Sequence, residues 1–252
     1  MSLIQLTWAN ELPWKIEKVA KASAGNRKIG LVTDSNGDVH MSYTGCTDNI
    51  CKESLLEYAR RNNQGVWQTH FIDDYKKKTG WFSDLVLTPN NTLHILYTDP
   101  HPKMRAKHAT APLAPVNEMK WTITPLKNIP GGYWNSLALF NDKVMASMTS
   151  FIGGNLDKSV LQFGTLGSNG WELNILDNST EAGWLTHLSV SNTGLAAISY
   201  IRNAYPAGTM VIKYQVAEAG GIQWKELELD NRSIKSSLVH DKNGIIHGLY
   251  QR

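Results

Sequence analysis

His187 and Asp84 stand at equivalent points of two similar segments, LTHLSVS (185–191) and FSDLVLT (82–88), where other copies of the segment carry Gly30, Ser136 and Ser237. An imidazole and a carboxylate facing one opening can pass a proton to and from a substrate. The plainer role for the same two groups is to line a channel and bond water. Hydrolysis of a glycosidic bond needs two carboxyl groups, about 5 Å apart for retention and further apart for inversion. Asp99, with His101 in TDPHPK (98–103), and Glu181 in DNSTEAG (177–183) have no repeated counterpart, which makes them further catalytic candidates. Asp73, Asp177 and Asp230 do recur at one position and read as turn caps. Trp81, Tyr133, Trp134 and Trp184 collect at the start of the same family of segments. Their faces can stack on a sugar ring, or bury area between neighbouring structural units. Arg27, Arg202 and Tyr205 fall at a similar level, and an arginine there can grip a carboxylate or phosphate with two hydrogen bonds.

Other chemistries lack their residues. His40, His94 and His247 share one repeat position. Three imidazoles can ligate zinc, but a repeated position is first a structural one, so each is expected to bond a backbone group. No metal site is expected, and the cofactor stays unknown. There is no glycine-rich phosphate loop, no Cys–His nucleophile pattern and no HExxH. The two cysteines, Cys46 and Cys51 in CTDNIC, are too few for a zinc site and are either reduced loop thiols or, in an exported protein, a small-loop disulfide. A net charge of +3 gives no reason to expect nucleic acid or a membrane surface as partner. The KKK run at 76–78 reads as a solvated loop tip. No stretch approaches the roughly 18 apolar residues of a membrane span. The opening MSLIQLTWANELPW lacks a basic region followed by an apolar run, so no signal peptide is expected there. Compartment and oligomeric state stay open. The expected partner is a small molecule or a glycan.

The elements that hold these residues come in repeats. Tryptophans open similar segments at Trp14, Trp67, Trp121, Trp171 and Trp224, in steps of 53, 54, 50 and 53 residues. A second family ends at Tyr43, Tyr97, Met148, Tyr200 and Tyr250. A third comprises LLEYA, RAKHA, VLQFG and VIKYQ, with LIQLT at 3–7, and a fourth the segments holding Asp84 and His187. Each alternates apolar and polar positions, as strands do. DSNG (34–37), PNN (89–91), SNTG (191–194) and DKNG (241–244) supply hairpin turns between the first two strands of a repeat. Four short strands per repeat of about 50 residues are the mark of propeller blades. The expected fold is therefore an all-β, five-bladed β-propeller spanning 1–252 as a single domain. Its last blade would join C-terminal strands one and two to N-terminal strands three and four, which removes an open sheet edge.

Segments such as SLALFNDKVMASM (136–148) and DSNGDVHMSY (34–43), followed by LLEYAR and a Trp strand, resemble bacterial propeller repeats of the sialidase-like or lectin-like kind. Five blades of this size are similar in architecture to tachylectin-type sugar-binding propellers and to arabinanase-type glycoside hydrolases. The resemblance implies a ligand site on the rim that carries the loops from strand four to strand one and from strand two to strand three. Those loops differ among repeats far more than the strands, which favours one asymmetric site near the axis over five equal ones. The first expectation is thus a lectin-like, carbohydrate-binding propeller. The alternative is a glycoside hydrolase or lyase with an axial pocket, and the third reading is a protein-interaction scaffold.

Overall fold

The computed structural model describes residues 15–20, 28–46, 52–74, 78–100, 104–154, 158–203, 208–231 and 235–251. The first blade is β1 (Gly30–Thr33), β2 (Val39–Cys46), β3 (Ser54–Arg61) and β4 (Trp67–Asp73), paired in that order. The second holds β5 (Trp81–Leu87), β6 (Thr92–Asp99) and β7 (Arg105–Pro112), completed by the start of the long β8 (Thr122–Phe140). The same β8 pairs with β7 over Thr122–Pro125 and with β9 (Lys143–Phe151) from Gly131 to Phe140, so it is outer strand of one blade and inner strand of the next. The third blade continues through β10 (Ser159–Gly167) and β11 (Gly170–Asp177). The fourth is β12 (Trp184–Val190), β13 (Ala196–Arg202), β14 (Thr209–Glu218) and β15 (Gly221–Asn231), and β16 (Lys235–His240) and β17 (Ile246–Gln251) begin the fifth. This is a five-bladed propeller of antiparallel sheets. The strands expected at 3–7 and 14–20 to close it lie outside the described residues, apart from 15–20. From that stretch Glu17 reaches the first blade, accepting from Arg61 Nε at 2.7 Å and Trp67 Nε1 at 2.8 Å.

The core lies between blades. Leu56, Tyr58, Leu85, Ile95 and Tyr97 pack blade one on blade two, and similar clusters around Met148, Ile198 and Leu238 seal the next three seams. The hairpin turns form as their sequences require: Asp34 Oδ1 accepts the N–H groups of Asn36 and Asp38 at 2.8 and 3.0 Å, an Asx cap.

Polar pairs register one blade on another. Asp73 Oδ2 accepts the hydroxyl of Tyr97 at 2.6 Å, and Asp177 accepts that of Tyr200. Beyond the expected turn-capping role, Asp73 also accepts from Lys107 Nζ at 2.8 Å, and Asp177 joins the two roles, capping Ser179 N at 2.9 Å as well. The pairing explains two departures from the repeat. Lys127 replaces the aspartate before the one blade whose tyrosine is Met148, where no hydroxyl needs an acceptor. Ala20 replaces it before Tyr43, which donates instead to Glu57 of its own blade at 2.5 Å.

The repeated histidines also bond side chains, not the expected backbone groups. His40 Nδ1 meets Tyr58 Oη at 2.6 Å, His94 Nδ1 meets His108 Nε2 at 3.1 Å and His247 meets Asp241 at 3.2 Å. Tyr58 and His108 occupy one position of strand three, paired with Ser42 and Leu96 and so diagonal to the two histidines, and both have polar tips, whereas Phe163 at the same position lies in the blade that carries Met145.

Candidate active site

The rim bearing the variable loops is built on a three-residue unit that recurs in blades two, three and four: Gly80–Trp81–Phe82, Gly132–Tyr133–Trp134 and Gly183–Trp184–Leu185. The third residue of each adopts positive φ, at 52°, 47° and 56°. For bulky side chains that conformation costs of order 1–3 kcal/mol and survives only where surroundings enforce it. Here the preceding blade does so. The glycine is pressed onto its third strand so closely that a Cβ on Gly132 would lie 2.6 Å from Ala106 Cβ, and one on Gly183 2.9 Å from Leu161 Cα. A threonine at the end of its second strand, Thr44, Thr98 or Thr149, donates to the glycine carbonyl. The aromatic tip is held as well: Trp81 Nε1 donates to Ser54 Oγ at 3.1 Å, Trp184 Nε1 to Ser159 Oγ at 2.9 Å, and Tyr133 Oη to Met104 Sδ.

These units bring all four predicted aromatics into one surface. Phe82 lies 4.9 Å from Tyr133 and 5.2 Å from Trp134, ring centre to ring centre, Trp134 lies 4.6 Å from Trp184, and Trp81 touches Phe82 at 6.5 Å. The four predicted rings remain half-buried, while Phe82, which the sequence reading missed, is the buried link among them. Its signal was the glycine-aromatic repeat, readable once the three units are aligned.

Below the rim, the innermost strands carry the acid–base candidates. Asp84 Oδ2 accepts from Lys28 Nζ at 2.7 Å and from Leu137 N at 2.8 Å; Lys28 also donates to the Asn135 carbonyl at 2.8 Å. Lys28 therefore bridges blades one, two and three. Nothing in its own segment marked it, because its partners lie 56 and 107 residues away. His187 Nδ1 accepts Leu238 N at 3.2 Å, and Ser136 Oγ accepts Leu188 N at 3.0 Å. Asp84, Ser136 and His187 thus do one job, each receiving the next blade's inner-strand N–H. His187 titrates at about 4, depressed first by burial and then by the charge of Lys28, with Asp84 opposing.

The remaining candidates separate. Glu181 sits at φ 50° in the turn leading to Trp184 and lines a cavity of about 260 Å³ with Lys158, Ser159 and Thr180. Asp99 is fully buried against Arg105 and Lys107, at 3.3 and 3.0 Å. Arg202 is held by Asp177, Glu226 and Glu228 at 2.6, 2.9 and 2.8 Å, which places it in an acidic cage. Arg27, His101 and Tyr205 lie outside the described residues. No group of three metal-ligating side chains occurs among the described residues. Cys46 is disulfide-bonded, and the sequence has one other cysteine, Cys51. No helix among the described residues is long and apolar enough to cross a membrane.

No protein-family model matches the chain, and no curated protein matches it in sequence. Solved structures do match in shape. An alpha-L-arabinofuranosidase from Fusarium graminearum aligns with a TM-score of 0.61 and 8% identity over 91% of this chain and 77% of its own. An endo-arabinase from Bacteroides thetaiotaomicron aligns at 0.54 and 12% identity, over 93% and 92%. A bifunctional GH43-CE protein of Bacteroides eggerthii aligns at 0.54 and 12%, over 92% of this chain, which spans only 31% of that larger one. At such identities the likeness establishes the propeller fold. The expectation of a lectin-like binding module is corrected by it: the structures that share this architecture include an endo-arabinase and an alpha-L-arabinofuranosidase, not the sialidase-like or tachylectin type that the repeats suggested.

Proposed function

We propose that this chain is a glycoside hydrolase acting on a pentose-containing glycan, with Asp84 as its inner-strand carboxylate. The observation that carries the reading is the continuous aromatic surface from Trp81 to Trp184, set above an inner-strand carboxylate whose charge Lys28 balances. Sugar rings present apolar faces that stack on such a surface. Asp84 would act as base or nucleophile, with His187 keeping a neutral imidazole near it. Support for the substrate class comes from structural neighbours titled endo-arabinase, alpha-L-arabinofuranosidase and endo-1,4-beta-xylanase. Export would suit both a polymeric substrate and the disulfide at Cys46. The test is release of sugar from arabinan, xylan and aryl arabinosides and xylosides. Turnover that falls about 10²–10⁴-fold in Asp84→Asn supports the reading. No turnover on any of these substrates, or full activity in Asp84→Asn, overturns it.

A further inference from the structure

On the opposite rim, a cavity of about 550 Å³ opens between blades two and three, lined by His94, His108, Thr110, Thr124, Asn169 and Trp171 among others. Its place follows from the strands: His94 pairs near the hairpin end of β5–β6, four residues from Thr98 at the aromatic rim, so about 13 Å separates the two levels. The cavity is large enough for a small ligand.

Its chemistry is set by the histidine pair. The facing nitrogens are 3.1 Å apart while the ring centres are 5.2 Å apart and the planes within 18° of each other. The rings therefore lie end to end and nearly coplanar, with an N–H aimed at a lone pair. That is a hydrogen bond, not a metal chelate, in which both lone pairs would converge on a third point. Burial depresses both histidines, His108 to about 3, so both are neutral at ordinary pH. Two neutral imidazoles have two donors and two acceptors between them, and their mutual bond uses one of each. The outer nitrogens, His94 Nε2 and His108 Nδ1, have no hydrogen-bond partner among the described residues, yet neither is sealed from solvent as the orphaned Trp171 indole nitrogen is. The pair thus offers one donor and one acceptor to the cavity, with two threonine hydroxyls and an amide around it.

No carboxylate, lysine or arginine is among the lining residues. A charged ligand would go uncompensated there. We infer that this cavity is a second, non-catalytic site for an uncharged polyhydroxylated ligand, a saccharide whose neighbouring hydroxyls engage the free donor and acceptor of His94 and His108. Naming a saccharide rests on the glycoside hydrolase reading. The corresponding groove between blades three and four, lined by Phe163 and Trp224, is smaller at about 290 Å³ and lacks both imidazoles.

That neighbour supplies the test. Blade three carries Met145 and Phe163 where blade two carries His94 and His108, so His94→Met/His108→Phe installs a pair the fold already accommodates. Xylohexaose and arabinohexaose are titrated into protein labelled with ¹⁵N at histidine, alongside calorimetry and turnover of an aryl glycoside. The inference expects saturable shifts of the His94 and His108 nitrogens, a calorimetric binding event weakened at least 10-fold in the double variant, and unchanged aryl-glycoside turnover. Absence of any shift at His94 and His108 with millimolar oligosaccharide, or equal binding by the double variant, overturns it. Turnover without such shifts would leave the hydrolase reading standing and this one refuted; shifts without turnover would do the reverse.

Discussion

Leu238 donates its backbone N–H to Nδ1 of His187 at 3.2 Å, so the seam between blades four and five closes on an imidazole that must stay neutral. The equivalent seams close on Asp84 and Ser136. Ser189 and His240 add a second imidazole contact at 2.8 Å to the same seam.

This makes stability sensitive to mild acid. An unfolded histidine protonates near 6.5, whereas His187 holds out to about 4 and His108 to about 3, and His40, His94 and His240 are also depressed by burial. Between those values the unfolded chain binds protons that the folded chain refuses. The stability is therefore complete above about pH 6.5 and declines as pH falls toward 4. Thermal unfolding followed from pH 7.5 to 4.5 should show a falling midpoint, and His187→Ser, copying Ser136, should flatten part of the slope. A midpoint that stays level across this range would contradict the prediction.

The tyrosine–aspartate links predict a graded series. Removing the hydroxyl of Tyr97 or Tyr200 leaves a buried carboxylate short of one donor, at a cost of about 1–3 kcal/mol. For a chain this long that is a fall of several degrees in Tm. Tyr43→Phe should cost less, because burial raises Glu57 and favours its protonated, uncharged form once the hydroxyl is gone. Calorimetric Tm values for the three variants check the order; a larger loss for Tyr43→Phe than for the other two would reverse the argument.

Much of this architecture was legible because it repeats. The Trp67–Trp224 spacing and the turn residues fix strand count and phase, and each strand alternates as a half-buried strand must. The aromatic cluster was legible for the same reason. The link between Asp73 and Tyr97 could have been found from Lys127 and Met148, which lose aspartate and tyrosine together. The ion pair of Lys28 with Asp84 could not, since it joins an unrepeated side chain to a blade 56 residues on. Nor was the histidine pair visible, because His94 fits a structural repeat while His108 replaces an aromatic one. Binding and catalysis were hardest to tell apart, as both would use the same aromatic rim and a fold settles neither.

Gly183 is expected to be intolerant of any side chain. Its φ is 92°, and an added Cβ would stand 2.9 Å from both Leu161 Cα and Val160 O, backbone-borne atoms that cannot swing away. Gly183→Ala should cost about 1–3 kcal/mol through backbone strain. It should also shift Trp184 off Ser159. Denaturant melts give the stability, and tryptophan fluorescence of the folded variant reports the displaced indole. An unchanged denaturation midpoint would show that the blade seam yields more easily than its geometry indicates.

Trp184 separates binding from chemistry under the hydrolase reading. Its ring packs 4.6 Å from Trp134, and its N–H is held by Ser159, so the indole is fixed before any ligand arrives. A fixed aromatic face contributes to every substrate long enough to cross it and does so equally in ground and transition states. Loss of such uniform binding raises KM and leaves kcat nearly unchanged. Trp184→Ala should therefore raise KM for oligosaccharides about 10-fold or more, the equivalent of roughly 1.4 kcal/mol. An aryl monoglycoside, which offers a single sugar ring, should show a much smaller change. Steady-state kinetics on the two substrates distinguish the cases. A fall in kcat on both would place Trp184 beside the reacting bond instead, and would move the proposed site toward the Glu181 cavity.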